Sequence, residues 1–444
     1  MENKNELKKN LGISTAMATV VGCVIGSGVF FKPQAIYTAT GGAPGLGMFA
    51  WLITGLICIA AAMTFAEVAI MIPKTGGMVV YLEEAFGKKY GFLAGWMQSV
   101  IFYPSMISAL AVVFAEQASL FIGDGYKLPI AIGAIILVLF LNSLGSAVSG
   151  GAQVLFTICK LIPLILLMIF GFVNGSGEHS VFTPVIGDGL NPAVVLGQLM
   201  IAILFAFEGW TNVGAIAGEM KNPGKDLPIA IIGGVSGIMA IYFIINLAYL
   251  WVLPADQLMN LSAPASAVAI KIFGNVGGKL ISVGIMISVF GAANGYVLSG
   301  SRVTYSLAQE GLLPCSKQLA KINKAQVPIN SVIVVGTIAA IYACSGQFNL
   351  LSDLGVFSCW IFYTLTFVAV IRLRKTQPDT PRSYKVPLYP IIPAIAIISG
   401  LYVIINQLFM AGTTSRMLAI GSIVITLLGL PVYNRQSKSL KKNK

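Results

Sequence analysis

Three features of the chain place reactive groups inside otherwise apolar runs: Lys160, Glu208 and the triplet Gly26-Ser27-Gly28. Lys160 follows Cys159 and precedes Leu161, Ile162 and Pro163, about midway along an apolar stretch, too deep for its stem to reach an interface. At that depth it needs acceptors, such as carbonyls freed by a broken neighbouring helix, or it loses its proton to desolvation. Two readings stand: a fixed ammonium cross-linking two helices, or a charge that takes part in transport. Glu208 sits between Phe207 and Gly209, where an unpaired carboxylate is strongly unfavourable. It is either a hydrogen-bonded or protonated tie between helices, or a cavity-lining group with Phe205, Phe207 and Trp210 as aromatic walls.

The glycine triplet also reads two ways. Gly22 and Gly26 form a GxxxG pair that suits close helix packing. Alternatively, two glycines flanking a serine ease the chain out of helical geometry, which is tolerated at membrane depth where the backbone lines a cavity. The half-helix after such a break points free N–H groups and a positive dipole end at an anion such as a carboxylate. The carbonyls that end the half-helix before it suit an ammonium. A dinucleotide fingerprint is excluded, because Phe31 stands where the third glycine belongs.

The elements that must hold these groups are membrane helices. Of the 444 residues, 57% are hydrophobic and 10% charged; mean hydropathy is +0.86, too apolar for a chain whose solvent is water. About twelve apolar stretches approach the ~20 residues needed to cross a bilayer as helix. They fall at roughly 11–40, 44–72, 90–121, 128–145, 149–173, 190–219, 227–253, 276–308, 328–345, 350–371, 387–411 and 415–434. Unbroken runs such as Ile130 to Leu141 lack the alternation of a barrel. Between 254 and 275 the apolar run Ala265–Phe273 predicts a short interfacial helix. The chain thus reads as one membrane domain over 1–434 with a basic tail at 435–444.

Net charge is +12, and its distribution orients the spans. With the N-terminus inside, Lys32, Lys127, Lys271, Lys279 and Arg416 fall outside, Lys160 falls within a span, and the remaining 22 of the 28 Lys and Arg lie inside. That asymmetry predicts both termini in the cytoplasm. No continuous basic stripe offers itself to nucleic acid. Six scattered cysteines lack a CxxC pair, and the lone His179 sits in a polar loop, so neither a disulfide framework nor a metal site is expected. The N-terminus resembles a signal peptide, but Lys32 and Pro33 stand where a cleavage site needs small residues, so it is expected to remain as the first span. Spans one and six are the glycine-interrupted ones, a pairing that marks a transporter binding site when the two halves are structural repeats.

Several motifs in order resemble the amino acid–polyamine–organocation superfamily, and within it the L-type amino acid transporter family. They are Val24-Ile25-Gly26-Ser27-Gly28-Val29-Phe30 with Pro33, Phe205-Ala206-Phe207-Glu208-Gly209-Trp210, Glu219-Met220-Lys221-Asn222-Pro223, Val386-Pro387-Leu388-Tyr389-Pro390, and the stretch from Ser301-Arg302 to Leu313-Pro314. The resemblance covers nearly the whole chain and runs nearest to bacterial alanine–serine–cysteine exchangers. It implies an all-α, LeuT-like fold: two inverted five-helix repeats (about 11–173 and 190–374) with unwound helices one and six, plus two peripheral helices (387–434). It further implies that a substrate carboxylate meets N–H groups at Ser27 and Gly28. The ammonium would meet carbonyls near Val24, Ile25, Phe205, Ala206 and Glu208. Lys160, with Tyr242 as neighbour, would stand where sodium-coupled relatives hold an ion. Animal members bond a glycoprotein through a cysteine between spans three and four; the segment Ile122 to Leu128 has none, so no such partner is expected. Eukaryotic members often carry glycine in place of Glu208, and for side-chain size Ala292, Ala293, Ser105 and Ser108 are candidates.

The expectation is therefore a sodium-independent exchanger of small neutral L-amino acids in a cytoplasmic membrane, with no cofactor. Proton symport is its rival. A receptor or channel is the alternative of another class, and an enzyme would need a nucleophile or metal constellation that the chain does not display.

Overall fold

The computed structural model describes residues 11–442 apart from residues 73, 75 and 411. Its architecture is all-helical; the β content among the described residues is a single parallel bridge between Leu11 and Met220. Lipid offers the backbone no hydrogen-bond partners, so each crossing segment must satisfy its own groups as helix. Among the described residues ten helices are long and apolar enough to span, and two shorter apolar ones, Pro192–Ala206 and Ile329–Ala343, bring the set to the twelve stretches expected.

In chain order the elements that matter are α1 (Ile13–Val24), α2 (Gly28–Ala39), α3 (Pro44–Met71) and α4 (Lys88–Ile122). Next come α5 (Asp124–Ser143), α6 (Val148–Asn174), α7 (Pro192–Ala206), α8 (Asn212–Ala215) and α9 (Pro223–Val252). The last are α10 (Pro264–Gln309), α11 (Ile329–Ala343), α12 (Phe348–Thr376), α13 (Ile391–Met410) and α14 (Thr413–Leu440). Proline opens α3, α7 and α10, where a missing N–H costs no helical bond. The Asn191 side chain caps α7 by accepting from the N–H groups of Ala193 and Val194.

Helices α4 and α6 both pack on α10, and α1 lies against α6 and α10. On the other side α2 and α3 hold α7, while α9 bridges α3 and α6. The expected short helix over 265–273 is present, set off from the rest of α10 by a non-helical Gly274. The stretch expected at 190–219 is regular only to Ala206. Helix continues over Gly429–Lys442, and Tyr433 packs its ring 5.3 Å from Phe92. The basic N-terminal residues 1–10 and the last two of the tail lie outside the described residues.

Lys32 requires a correction. Counted above among residues outside the bilayer, it lies in α2, 2% exposed. Its ammonium is 3.5 Å from Asp353 and hydrogen-bonds Asn349 and Ser352 at 3.3 and 3.2 Å. The break at 25–27 turns the first apolar stretch into two helices, and the second of them carries Lys32 inward onto the start of α12.

Candidate functional site: two broken helices meeting at mid-depth

Helix α1 stops at Val24, and Ile25 leaves helical geometry with ψ 85° before α2 starts at Gly28. Helix α7 stops at Ala206, and the chain runs through Phe207–Thr211 before α8. Gly209 takes φ +119°, a region closed to other residue types, so this second break depends on glycine there. The breaks touch. A side chain at Gly28 would collide with the Ala206 backbone, so glycine is also what lets α2 approach α7 this closely.

The N–H groups of Ser27, Gly28 and Val29 donate no backbone hydrogen bond among the described residues, as at any helix start. Ser27 Oγ, fully buried, has no partner either, and neither do the buried Tyr296 Oη and Asn212 Nδ2. Buried polar groups are rarely left unpaired, so Ser27 Oγ, adjoining the free N–H groups, marks a place able to hold something polar. The opposite polarity is gathered at the carbonyl ends of α1 and α7. Lys160 Nζ donates to Gly22 O and Ile25 O, both at 2.6 Å. Tyr242 Oη lies 2.9 Å from Val24 O and 3.0 Å from Ala206 O, its single proton serving one at a time. Tyr242 thereby ties the two breaks together. Ser288 of α10 donates to Ile25 O at 3.3 Å.

Glu208 is 2% exposed and accepts from Tyr363 Oη at 2.6 Å and from the Gly209 N–H at 3.1 Å. Thr211 Oγ1 is 2.6 Å from the same tyrosine hydroxyl. The carboxylate therefore ties the second break to α12. The three aromatic residues around it face different neighbours rather than one wall. Phe205 meets Phe348, Phe207 meets Trp51 and Tyr242, and Trp210 meets Phe65 and Tyr363. Of the side-chain-size candidates, Ala292 borders Gly26, whereas Ser105 and Ser108 turn their hydroxyls onto carbonyls of their own helix.

An apolar bundle whose two discontinuous helices present free donors on one side and collected carbonyls on the other is the arrangement a membrane carrier needs for a zwitterion. Residues 11–429 match the amino acid permease family. The chain belongs to that family. The permease is 39% identical over 438 residues to the serine/threonine exchanger SteT of Bacillus subtilis, covering 98% of each chain. It is 30% identical to the mouse b(0,+)-type amino acid transporter 1, over 90% of this chain and 82% of that one. It is 28% identical to the human cystine/glutamate transporter, over 97% of this chain and 86% of that one. The permease is accordingly a multi-pass membrane transporter of amino acids.

Sequence reasoning missed Tyr363, Ser288 and Tyr296 at this centre. Each lies in an apolar span where a lone hydroxyl ordinarily bonds its own helix. A buried glutamate needing a donor was the one available hint of Tyr363.

Both ends of the bundle carry ion pairs. At the end holding the Leu11 bridge, Arg302 Nε and Glu219 Oε1 pair at 3.2 Å with 0% and 1% exposure. The Leu11 N–H donates to Glu219 O and the Lys221 N–H donates to Leu11 O, both at 2.9 Å. At the same end Glu67 accepts from Arg374 at 2.7 and 2.6 Å and from the Val386 N–H at 2.7 Å. Glu67 thereby ties the end of α3 to the end of α12 and to the segment that follows it.

Proposed function

We propose that the permease exchanges small neutral L-amino acids of the alanine, serine and cysteine kind across a cytoplasmic membrane by alternating access, without sodium. The observation that carries this is the Lys160 ammonium bonded to two carbonyls that end α1. A tethered cation already neutralises the oxygens that a coupling ion would otherwise coordinate. The substrate carboxylate takes the N–H groups around Ser27 and Gly28, with Gly26 allowing the bend. The ammonium takes carbonyls among Val24, Ile25, Phe205, Ala206 and the Phe207–Glu208 turn. Tyr242 and Lys160 hold the two breaks in register. The chain halves at 11–173 and 190–374 act as the two repeats, with 387–434 peripheral and both termini cytoplasmic. Serine and threonine, named for the Bacillus exchanger, belong in the tested range. No disulfide-linked heavy chain is required.

An empty return would leave the N–H groups around Ser27 and Gly28 without partners in the closed intermediate. A penalty of ~2–3 kcal/mol slows that return by roughly thirty- to a hundred-and-sixty-fold. In proteoliposomes, labelled serine or alanine should enter vesicles preloaded with unlabelled substrate quickly and empty ones slowly, at the same rate in sodium, potassium or choline. Concentrative uptake into empty vesicles under an inward proton gradient, abolished by an uncoupler, would overturn exchange in favour of proton symport.

A further inference from the structure

Away from the central breaks, a cavity of about 370 Å³ opens at the end of the bundle where α2 finishes and α12 begins. Phe31 and Gln34 of α2, Glu116 of α4, and Gln347, Phe348 and Asn349 line it. Glu116 is the one charged residue in that lining. Its carboxylate makes no hydrogen bond or ion pair among the described residues, with Lys127 near enough to feel its field. Lys32 lies beneath this lining. Its ammonium contacts Asn349, a residue of the cavity wall, and sits 5.2 Å from the Phe348 ring and 4.8 Å from the Phe205 ring. Phe348 lines the cavity, and Phe205 adjoins the second break. The cation therefore lies between this cavity and the residues leading to the second break.

That cation is loosely held. Its three polar contacts measure 3.2, 3.3 and 3.5 Å, against ~2.7–2.9 Å for a well-formed bond from an ammonium to a carboxylate. Asp353 is itself 28% exposed and can turn to water. An arriving carboxylate meets an ammonium that exchanges partners at small penalty, while Glu116 supplies the opposite charge for the same molecule's ammonium. The Phe31, Phe348 and Phe205 rings, 6.1 and 5.3 Å apart in sequence, close the passage between.

We infer that this cavity is an outer loading site for a zwitterionic amino acid: Glu116 receives the ammonium, and Lys32 leaves Asp353 for the carboxylate as the three rings part. This rests on the exchanger reading, which places the start of α12 outside, and adds a second binding station to it.

The test uses Gln34→Cys in proteoliposomes, with the exposed Cys315 and Cys344 replaced by serine. Alkylation by a membrane-impermeant maleimide is followed against external L-serine. Serine should protect the cysteine with a midpoint weaker than the midpoint of its thermal-shift stabilisation, which reads the central site. Glu116→Gln should move the protection midpoint about tenfold higher, equivalent to ~1.4 kcal/mol, and leave the thermal-shift midpoint in place. Lys32→Gln should act in the same direction, and Lys32→Arg should largely restore protection. A protection midpoint that equals the thermal-shift midpoint, or that ignores Glu116→Gln, overturns the loading site. Failure of the parent protein to exchange between preloaded vesicles overturns instead the reading on which it rests.

Discussion

The two ends of the permease are closed by different chemistry. At the end with Lys32 the ion pair to Asp353 measures 3.5 Å, with Asp353 partly in water and a polar cavity beside it, next to backbone bonds such as Leu46 N–H to Val185 O at 2.7 Å. The opposite end is held by Arg302–Glu219, wholly buried, by a short backbone bridge through Leu11, and by Glu67 gripping Arg374 and the Val386 N–H. An ion pair open to water is weak, because solvent replaces each partner as it leaves. A buried one is expensive to break, because separation strands a charge in a low-dielectric interior. Under the proposed alternating access this contrast sets unequal barriers: opening at the Lys32 end separates a loose contact, and opening at the Arg302 end must dismantle a dry one.

The largest expected effect breaks the strong end. Glu219→Ala leaves Arg302, 0% exposed, without its counter-ion, and should destabilise the fold by about 3–5 kcal/mol. Thermal unfolding in detergent should show a clear drop in melting temperature; an unchanged one would mean that the pair contributes nothing to closure. Next comes the pivot between the ends. Lys160→Ala removes two 2.6 Å charge-assisted bonds to α1, each worth roughly 1.5–3 kcal/mol. Exchange should fall at least tenfold, with the purified protein still monodisperse on gel filtration. Near-normal flux would take Lys160 out of the mechanism.

The weak end should respond less. Asp353→Asn removes a partner that solvent already shares, so stability should change by under about 1 kcal/mol. If its melting temperature falls as far as that of Glu219→Ala, the asymmetry is wrong. The smallest effect concerns Glu310, just past the end of α10, where one carboxylate oxygen is buried without a partner. Burial and, secondarily, the nearby Glu83 push its pKa up from 4.5 to about 7, with Lys88 opposing. Because the folded-state value is the higher one, its contribution favours folding below pH 4.5 and is lost as pH rises towards 7. Glu310→Gln should therefore raise the melting temperature by a degree or two at pH 8 and not at pH 4.5. Equal shifts at both values would exclude ionisation as the cause.

Much of this architecture was legible from residue order because the bilayer imposes a length and a polarity on every span. Stretches such as 44–72 and 227–253 need no partner to declare themselves helical. The breaks at Gly26-Ser27-Gly28 and around Gly209 were visible for the same reason, since glycine clusters are out of place in a lipid-spanning helix. Lys160 too announced itself, as a charge too deep to reach water. Lys32 did not, because a lysine beside a proline some thirty residues from the start looks like the edge of a span.

Residue order alone determined that this chain spans the membrane repeatedly, that its first and sixth spans are interrupted, and that a lysine and a glutamate lie at depth. Tertiary structure decided which atoms those groups meet. Lys160 reaches Gly22 and Ile25 across 138 and 135 residues of chain. Glu208 finds Tyr363, and Lys32 finds Asp353 from more than 300 residues away. Hydropathy is a property of each segment against lipid and is written locally. A hydrogen bond between helices depends on rotation and crossing of both, and no local pattern encodes that.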